Sequence, residues 1–186
     1  MKKLPKLRLK IQKRFLEFKK TYYKTPIGTA EIVGDENGIQ SISVLDEDFS
    51  PPLRQAQCDT IELTNEIPVC MQDCMIQLDE YFKGERKEFN LRLNPQGTPF
   101  QQSVWKELLN IPFGKTRTYL EQTKQIGDPK AIRAVASANG KNPIWIVIPC
   151  HRVIGSDGSL TGYAGGVWRK KWLLEHESPV KQQSLF

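Results

Sequence analysis

WIVIPCHRV, residues 145–153, sets an apolar run against a proline, a thiol, an imidazole and a guanidinium. Trp145 to Ile148 has the β-branched and aromatic content of a short buried strand. Pro149 has no N–H to give to a ladder, so regular pairing should stop there or lie at a sheet edge. Cys150 then falls just past a rigid strand end, where a side chain is held in place yet can be reached. His151 offers a base and Arg152 adds positive charge, and both favour a thiolate. The same residues also describe a buried thiol beside a solvated imidazole, because Cys next to His in sequence is not by itself a catalytic pair.

Upstream of this stretch the chain reads as helices. Thr98–Pro99–Phe100–Gln101 is a capping box with proline at the first helical position. Its helix should run to about Asn110, before Pro112, with Phe100, Val104 and Leu108 on one face. Thr118–Tyr119–Leu120–Glu121 is a second capping box, and that helix should end at Gly127. Asp128 caps a further helix, Pro129 to Asn139, closed by Gly140. Two helices so closely spaced form a helix-turn-helix arrangement, which points to DNA; an αα-hairpin serving only as scaffold fits the same pattern. The second helix carries Ala131, Ala134, Ala136, Ser137 and Ala138. Small residues let a helix approach a groove closely without reading many base edges. Arg133 is the long cation in its middle, suited to a phosphate contact or to a surface ion pair. Downstream, Trp168, Trp172 and Glu177 share a last helix, where Glu175 and His176 read as solvated end residues.

Ahead of the helices the pattern changes. Thr21 to Thr25, Thr29 to Val33 and Ile39 to Val44 read as an antiparallel meander, with turns at Pro26–Ile27–Gly28 and at Asp35 to Gly38. Phe49 to Ile67 is polar and proline-containing, a surface loop. Val69 to Lys83 is a helix ending at Gly84, its apolar stripe formed by Cys70, Cys74, Leu78, Tyr81 and Phe82. Cys70 and Cys74 have the spacing of metal ligands, but with no His nearby and only Cys58 to join them, core packing is the better reading. Glu88 to Leu93 can add a strand, and Asn94 to Gly97 links the two halves.

The net charge of +6 is unevenly placed. Residues 1–20 carry +8, residues 21–94 carry −8 and residues 95–177 carry +5. The C-terminal half and the N-terminal stretch therefore suit a polyanion, and the middle would repel one. Lys2 to Lys20 interleaves cations with apolar residues, and from Ile11 the spacing Ile11, Phe15, Phe18 is helical. Such a stretch can lie on DNA, on an anionic membrane or on its own acidic domain. No run approaches a membrane span, and the N-terminus lacks the apolar core of a secretory signal. Four cysteines at irregular spacing suggest reduced thiols in a cytoplasm rather than a disulfide framework.

Several separated blocks recur in order: Asn142–Pro143, PCHRV at 149–153, GYAGG at 162–166 and LLEHE at 173–177. From about Thr98 to Glu177 the chain resembles the active-site domain of the O6-alkylguanine-DNA alkyltransferases, also called methylated-DNA–protein-cysteine methyltransferases. Tyr22 to Leu93 matches more weakly, in length and strand-like pattern. The resemblance implies an α+β fold: a small antiparallel sheet with a helix, ribonuclease-H-like, then a mainly helical, winged-helix-like domain with the helix-turn-helix. It divides the chain into a basic extension at 1–20, domains at 21–94 and 95–178, and a tail at 179–186. It implies DNA repair by direct damage reversal, in which Cys150 takes the alkyl group from O6 of guanine, and from O4 of thymine in some members. His151 would deprotonate Cys150 through a water, Glu177 would hold and polarise His151, and Asn142 would brace the site. Tyr119 would sit by the target phosphate, help rotate the nucleotide out and supply a proton to the departing base. Arg133 would fill the gap in the stack, on a minor-groove face with Lys130, Ala131, Ala134 and Ser137. Val153, Trp145, Tyr163, Ala164 and Gly165 would surround the flipped base. The expected partner is double-stranded DNA bearing O6-alkylguanine, met by a monomer with neither cofactor nor metal.

Those residue types suit that chemistry. The target oxygen is inside the duplex, so the base must leave the stack, at a cost of a few kcal/mol that a wedge and a close-fitting helix offset. Attack on a saturated carbon needs a soft, strong nucleophile, and thiolate is the best side chains offer. Two departures from the pattern stand out. Ala164 replaces the Ser of some members, removing a hydroxyl contact to O6, and Trp145 replaces a smaller residue beside the pocket. Two other functions fit parts of the sequence. Relatives that flag alkylated bases without repairing them lack the Cys of PCHRV. A cysteine hydrolase would need an oxyanion hole, for which no distinct motif stands out.

Overall fold

The computed structural model describes residues 19–45 and 67–178. The basic stretch up to Phe18, the loop expected from Phe49 as far as Glu66, Cys58 and the tail 179–186 lie outside the described residues.

β1 (Lys19–Thr25), β2 (Gly28–Asp35) and β3 (Gly38–Leu45) form an antiparallel sheet in chain order. β1 opens at Lys19, inside the stretch read as an extension. Two-residue turns, Pro26–Ile27 and Glu36–Asn37, join the strands where the sequence placed them. The period of two holds: Thr21, Tyr23 and Thr25 are buried, and Thr21 and Tyr23 lie opposite Ile32 and Ala30. Ile42 pairs with Ile32 on the same face, so a one-residue slip would turn this whole set to solvent. α1 (Val69–Phe82) covers that face with Met71, Cys74, Met75, Leu78 and Tyr81. Its stripe is rotated toward the two methionines, leaving Cys70 at the margin with its thiol donating to the Asp35 carbonyl at 3.1 Å. Among the described residues no group of three His, Cys, Asp or Glu is placed to hold a metal.

Glu88 to Leu93 does not form the strand its pattern suggested. Leu93 makes a single bridge to Ile39, with Ile39 N donating to Arg92 O at 2.8 Å and Asn94 N to Ile39 O at 2.7 Å. Gly38, at φ 137°, permits this approach, since a Cβ there would sit 2.4 Å from the Arg92 carbonyl oxygen.

The helices follow their caps. α2 (Pro99–Leu108) opens with both hydrogen bonds of the Thr98–Gln101 capping box. It buries Val104, Trp105 and Leu108, while Phe100 lies on the outside. The Trp105 indole N–H donates to Ala138 O at 2.8 Å and ties α2 to the helix below. α3 (Tyr119–Ile126) starts on the Thr118–Glu121 box and stops at Gly127, φ 100°. The next element is not one regular helix. Asp128 caps a 3₁₀ turn, Pro129–Ala131, which runs into α4 (Ile132–Gly140), so Gly140 lies inside the helix rather than after it. Paired amide hydrogen bonds between Gln122 and Asn139, buried at 3.2 and 2.7 Å, lock α3 against α4.

Trp145 to Ile148 is the clearest departure from the sequence reading. All four residues are buried, as expected, but they form turns, not a strand. Val147 N donates to Trp145 O at 2.8 Å, Ile148 N to Ile144 O at 3.1 Å, and Ile146 sits at φ 66°. A β-branched residue in the left-handed region is strained, and such strain clusters at functional sites. β3 grips the segment just ahead of this turn: Ile42 N donates to Pro143 O and Trp145 N to Ile42 O, each at 2.9 Å. A short parallel pair, β4 (Arg117–Thr118) with β5 (Val153–Ile154), and α5 (Val167–His176) complete the helical half. Among the described residues no helix is long and apolar enough to cross a membrane.

Candidate active site

Cys150 opens a 3₁₀ turn, Cys150–Arg152, directly after Pro149. Its Sγ accepts a hydrogen bond from Asn142 Nδ2 at 3.2 Å. That amide is itself fixed, because Nδ2 also donates to Ile148 O at 2.7 Å and Oδ1 accepts from Ile144 N at 3.0 Å. Burial pushes the Cys150 thiol up, and the Asn142 amide and the Lys170 ammonium draw it back toward thiolate.

The same turn sends His151 and Arg152 inward, to a carboxylate at the far end of the chain. His151 Nε2 lies 2.9 Å from Glu177 Oε1. Arg152 donates to both oxygens, Nε to Oε2 at 2.8 Å and Nη2 to Oε1 at 2.9 Å, and its Nη1 donates to Ile111 O at 2.6 Å. Tyr81 OH donates to Oε1 at 2.8 Å and Gly114 N to Oε2 at 3.3 Å. Burial alone would raise the Glu177 carboxyl. The His151 and Arg152 hydrogen bonds outweigh it and hold the group well below the carboxylate range. An ionised carboxylate only accepts, so Nε2 carries the proton and neutral His151 keeps Nδ1 as a lone-pair acceptor. Nδ1 is buried and has no hydrogen-bond partner among the described residues. Burial also holds His151 below the usual imidazole value, keeping it neutral.

In front of Cys150 is an open cavity of about 480 Å³, lined by residues that include Tyr119, Arg133, Gly140, Cys150, Tyr163 and Ala164. α4 turns Val135, Ala138 and Asn139 inward and leaves Arg133, Ala134 and Ser137 exposed. Lys130 is exposed beside them and Ala131 is half-buried. Tyr119 stands at the start of α3, its hydroxyl 3.4 Å from Thr161 O. Tyr163 and Ala164 thus reach the cavity wall, whereas Val153 and Trp145 are buried beneath the surface. A Cβ on Gly165 would come within 3.4 Å of Val44, Tyr163 and the Trp145 indole, so this glycine keeps that layer thin.

Three residues that the sequence reading gave no such part also converge here. Lys170, fully buried, donates to Thr161 O at 3.1 Å and lies 5.8 Å above the Tyr119 ring. Burial lowers its pKa, and the Cys150 sulfur opposes that. Its place among Arg169, Lys170 and Lys171 hid it, although 170, 173 and 177 share one helix face. Arg152 was legible only as nearby charge, and Tyr81 only as core. His176 corrects the expectation of a solvated end residue: it stacks on Trp172 at 5.0 Å and its Nε2 bonds to Tyr81 O at 2.8 Å. Glu175 does remain exposed.

Arg152→Met should destabilise the protein by about 3 kcal/mol, because it leaves the buried Glu177 charge without its bidentate partner. Urea unfolding of the two proteins measures this, and a loss under about 1 kcal/mol would deny the ion pair that weight. The buried network also fixes the pH dependence of stability. Folding depresses both the His151 and Glu177 pKa values. Their contribution is present above the unfolded-state values and is lost as pH falls, first through the imidazole range and then through the carboxylate range.

Known proteins share this arrangement of chain. Residues 18–95 match the model of the 6-O-methylguanine DNA methyltransferase ribonuclease-like domain, and residues 99–179 that of the corresponding DNA binding domain. A methylated-DNA–protein-cysteine methyltransferase of Methanosarcina acetivorans is 44% identical over 83% of this chain and 95% of its own. One from Mycobacterium tuberculosis is 45% identical over 84% and 92%. The crystal structure of Mycobacterium tuberculosis O6-methylguanine methyltransferase superposes with a TM-score of 0.72 at 42% identity, covering 87% of this chain and 93% of that one. A structure of the Mycobacterium tuberculosis protein in complex with DNA gives 0.72 at 41%, over 87% and 96%. Identity of this degree runs through both halves of the fold and nearly the whole length of each relative, and it makes the chain a member of the methylated-DNA–protein-cysteine methyltransferase family.

Proposed function

We propose that the protein repairs alkylated DNA by moving a methyl or larger alkyl group from O6 of guanine, or O4 of thymine, to Cys150. The observation that carries this reading is a thiol at the wall of an open cavity with ample room for a base, braced by Asn142, with a buried His–Glu pair behind it. A water bridging Sγ and the unpartnered Nδ1 of His151 takes the thiol proton to the imidazole. The thiolate attacks the alkyl carbon, the S–C bond forms and the C–O6 bond breaks. The bonding pair stays with O6, and the departing guanine takes a proton from the Tyr119 hydroxyl, which solvent restores. Glu177 fixes the His151 tautomer and stabilises the imidazolium as it forms. No cofactor enters this balance, and one monomer suffices for one base.

The substrate is a nucleotide in double-stranded DNA, rotated out of the helix. α4 lies in the minor groove with its small exposed residues Ala134 and Ser137 against the backbone, and Lys130 and Ala131 lead into it. Arg133, at the rim of the cavity, enters the gap left by the base. Val153, Trp145 and Gly165 support the wall that Tyr163 and Ala164 present to the base. The sheet domain, which starts with β1 at Lys19, and the helical domain, which runs to Ser178, divide near Asn94 to Gly97. The site of action is the cytoplasm.

Mass spectrometry after incubation with methylated DNA tests the reading: a single added methyl on the Cys150 peptide is expected. An unmodified Cys150 alongside repaired DNA would overturn it. Arg133→Ala should slow repair of duplex DNA by about ten- to a hundredfold, the kinetic worth of a few kcal/mol of extrusion, while barely changing transfer from free O6-methylguanine. Equal losses on the two substrates would remove Arg133 from extrusion.

A further inference from the structure

We propose that Tyr81, on α1 of the sheet domain, is a positioning residue for the acid–base pair: its hydroxyl sets the charge that Glu177 presents to His151. The proposal rests on the alkyl-transfer reading above. Tyr81 lies 96 positions before Glu177, yet its hydroxyl donates to Oε1, the same oxygen that faces His151 Nε2. The ring is fully buried and wedged edge-on by Phe82 and Phe113, with Phe89 and His176 beside it. The hydroxyl therefore has little freedom to turn elsewhere. Burial and the Glu177 charge push its pKa well up, so it stays a donor across the working range.

A donor on Oε1 draws electron density from the carboxylate and weakens its hold on an imidazolium. The charged groups that act on this pair are Arg152, from the 3₁₀ turn, and Lys170, from α5. Both already disfavour the cationic form of His151, and Tyr163 and the His176 ring complete the titratable surroundings of Tyr81. Removing the Tyr81 hydroxyl leaves Oε1 richer in charge, and the imidazolium becomes easier to form. His151 must be neutral to accept the Cys150 proton. Its titration would then silence the enzyme at a higher pH than before. In this way a residue of the sheet domain tunes chemistry carried out by the helical domain.

The test is the pH profile of the alkyl-transfer rate from free O6-methylguanine to the intact protein. Tyr81→Phe keeps the ring and should move the acidic limb up by about half a pH unit, or about threefold in rate on the slope. Replacing Tyr81 by 3-fluorotyrosine, a stronger donor of nearly the same volume, should move the limb down. This second replacement decides the matter if the phenylalanine variant folds poorly. A lowered plateau with an unmoved limb in both would make Tyr81 a packing residue and overturn the proposal. So would His176→Gln moving the limb as far as Tyr81→Phe. Absence of transfer in the unaltered protein would instead reject the alkyl-transfer reading itself.

Discussion

Replacing Cys150 by serine lowers alkyl transfer by more than about a thousandfold and leaves the fold and DNA affinity in place. The hydroxyl matches the thiol closely in size, and it can still accept the Asn142 amide hydrogen bond. Nothing in the packing of the turn is lost. The chemistry fails because an alcohol ionises far less readily than a thiol, and the surroundings here offer only modest help. Asn142 and Lys170 favour the anion, but burial opposes them. Burial raises the Cys150 thiol and lowers His151, so this imidazole is a weak base even for the thiol and far too weak for an alcohol. Labelled methyl groups on duplex DNA, followed on a denaturing gel, measure the transfer, and a binding titration of the same variant measures affinity. Transfer within tenfold of the unaltered protein would take Cys150 out of its role.

Local chemistry was the part of this fold most legible in sequence. The Thr98–Gln101 and Thr118–Glu121 boxes start helices at the expected residues, because a cap is satisfied within four positions. The two hairpins were legible for the same reason. Trp145 to Ile148 was not, since a run of apolar residues reports burial and leaves the backbone path open. There, burial is satisfied by a turn packed under β3, with Ile146 in a conformation its β-branch resists. The strained turn sits between Asn142 and Cys150, and it lets the amide reach back to the sulfur. A straight strand would carry the two residues far apart.

The site divides in the same way. Cys150 and His151 announce themselves by adjacency, but Glu177 was placed only through resemblance, since twenty-six positions separate it from His151. Tyr81 was assigned to the core by its helical spacing, and that was correct for its ring. The partner of its hydroxyl lies 96 positions away, in the helical half of the fold. Lys170 stands in a run of three cations, and nothing in that run singles it out. In each case the missing information is a long-range contact, and such contacts are specified by packing between elements rather than within them.

With methylated DNA in excess, product should rise to one equivalent of Cys150 and then stop. An acyl thioester is released because water attacks its carbonyl carbon. An S-methyl cysteine has no such carbon, and expelling the thiolate from a saturated carbon gains nothing from His151, which handles protons. Nδ1 can activate a water, but that water has no electrophile to attack. Among the described residues the site holds no second thiol, since Cys70 and Cys74 belong to the α1 packing on the sheet. The added methyl must also fit between Asn142, the cavity wall and the turn, and overpacking of this kind costs about 1–3 kcal/mol. The spent protein should therefore melt a few degrees lower, at about 2–4 °C for each kcal/mol. Limiting protein mixed with methylated DNA, with methyl loss followed over many half-times, measures the stoichiometry. A steady rate past one equivalent would reject the acceptor role for Cys150 and bring back a hydrolytic cysteine.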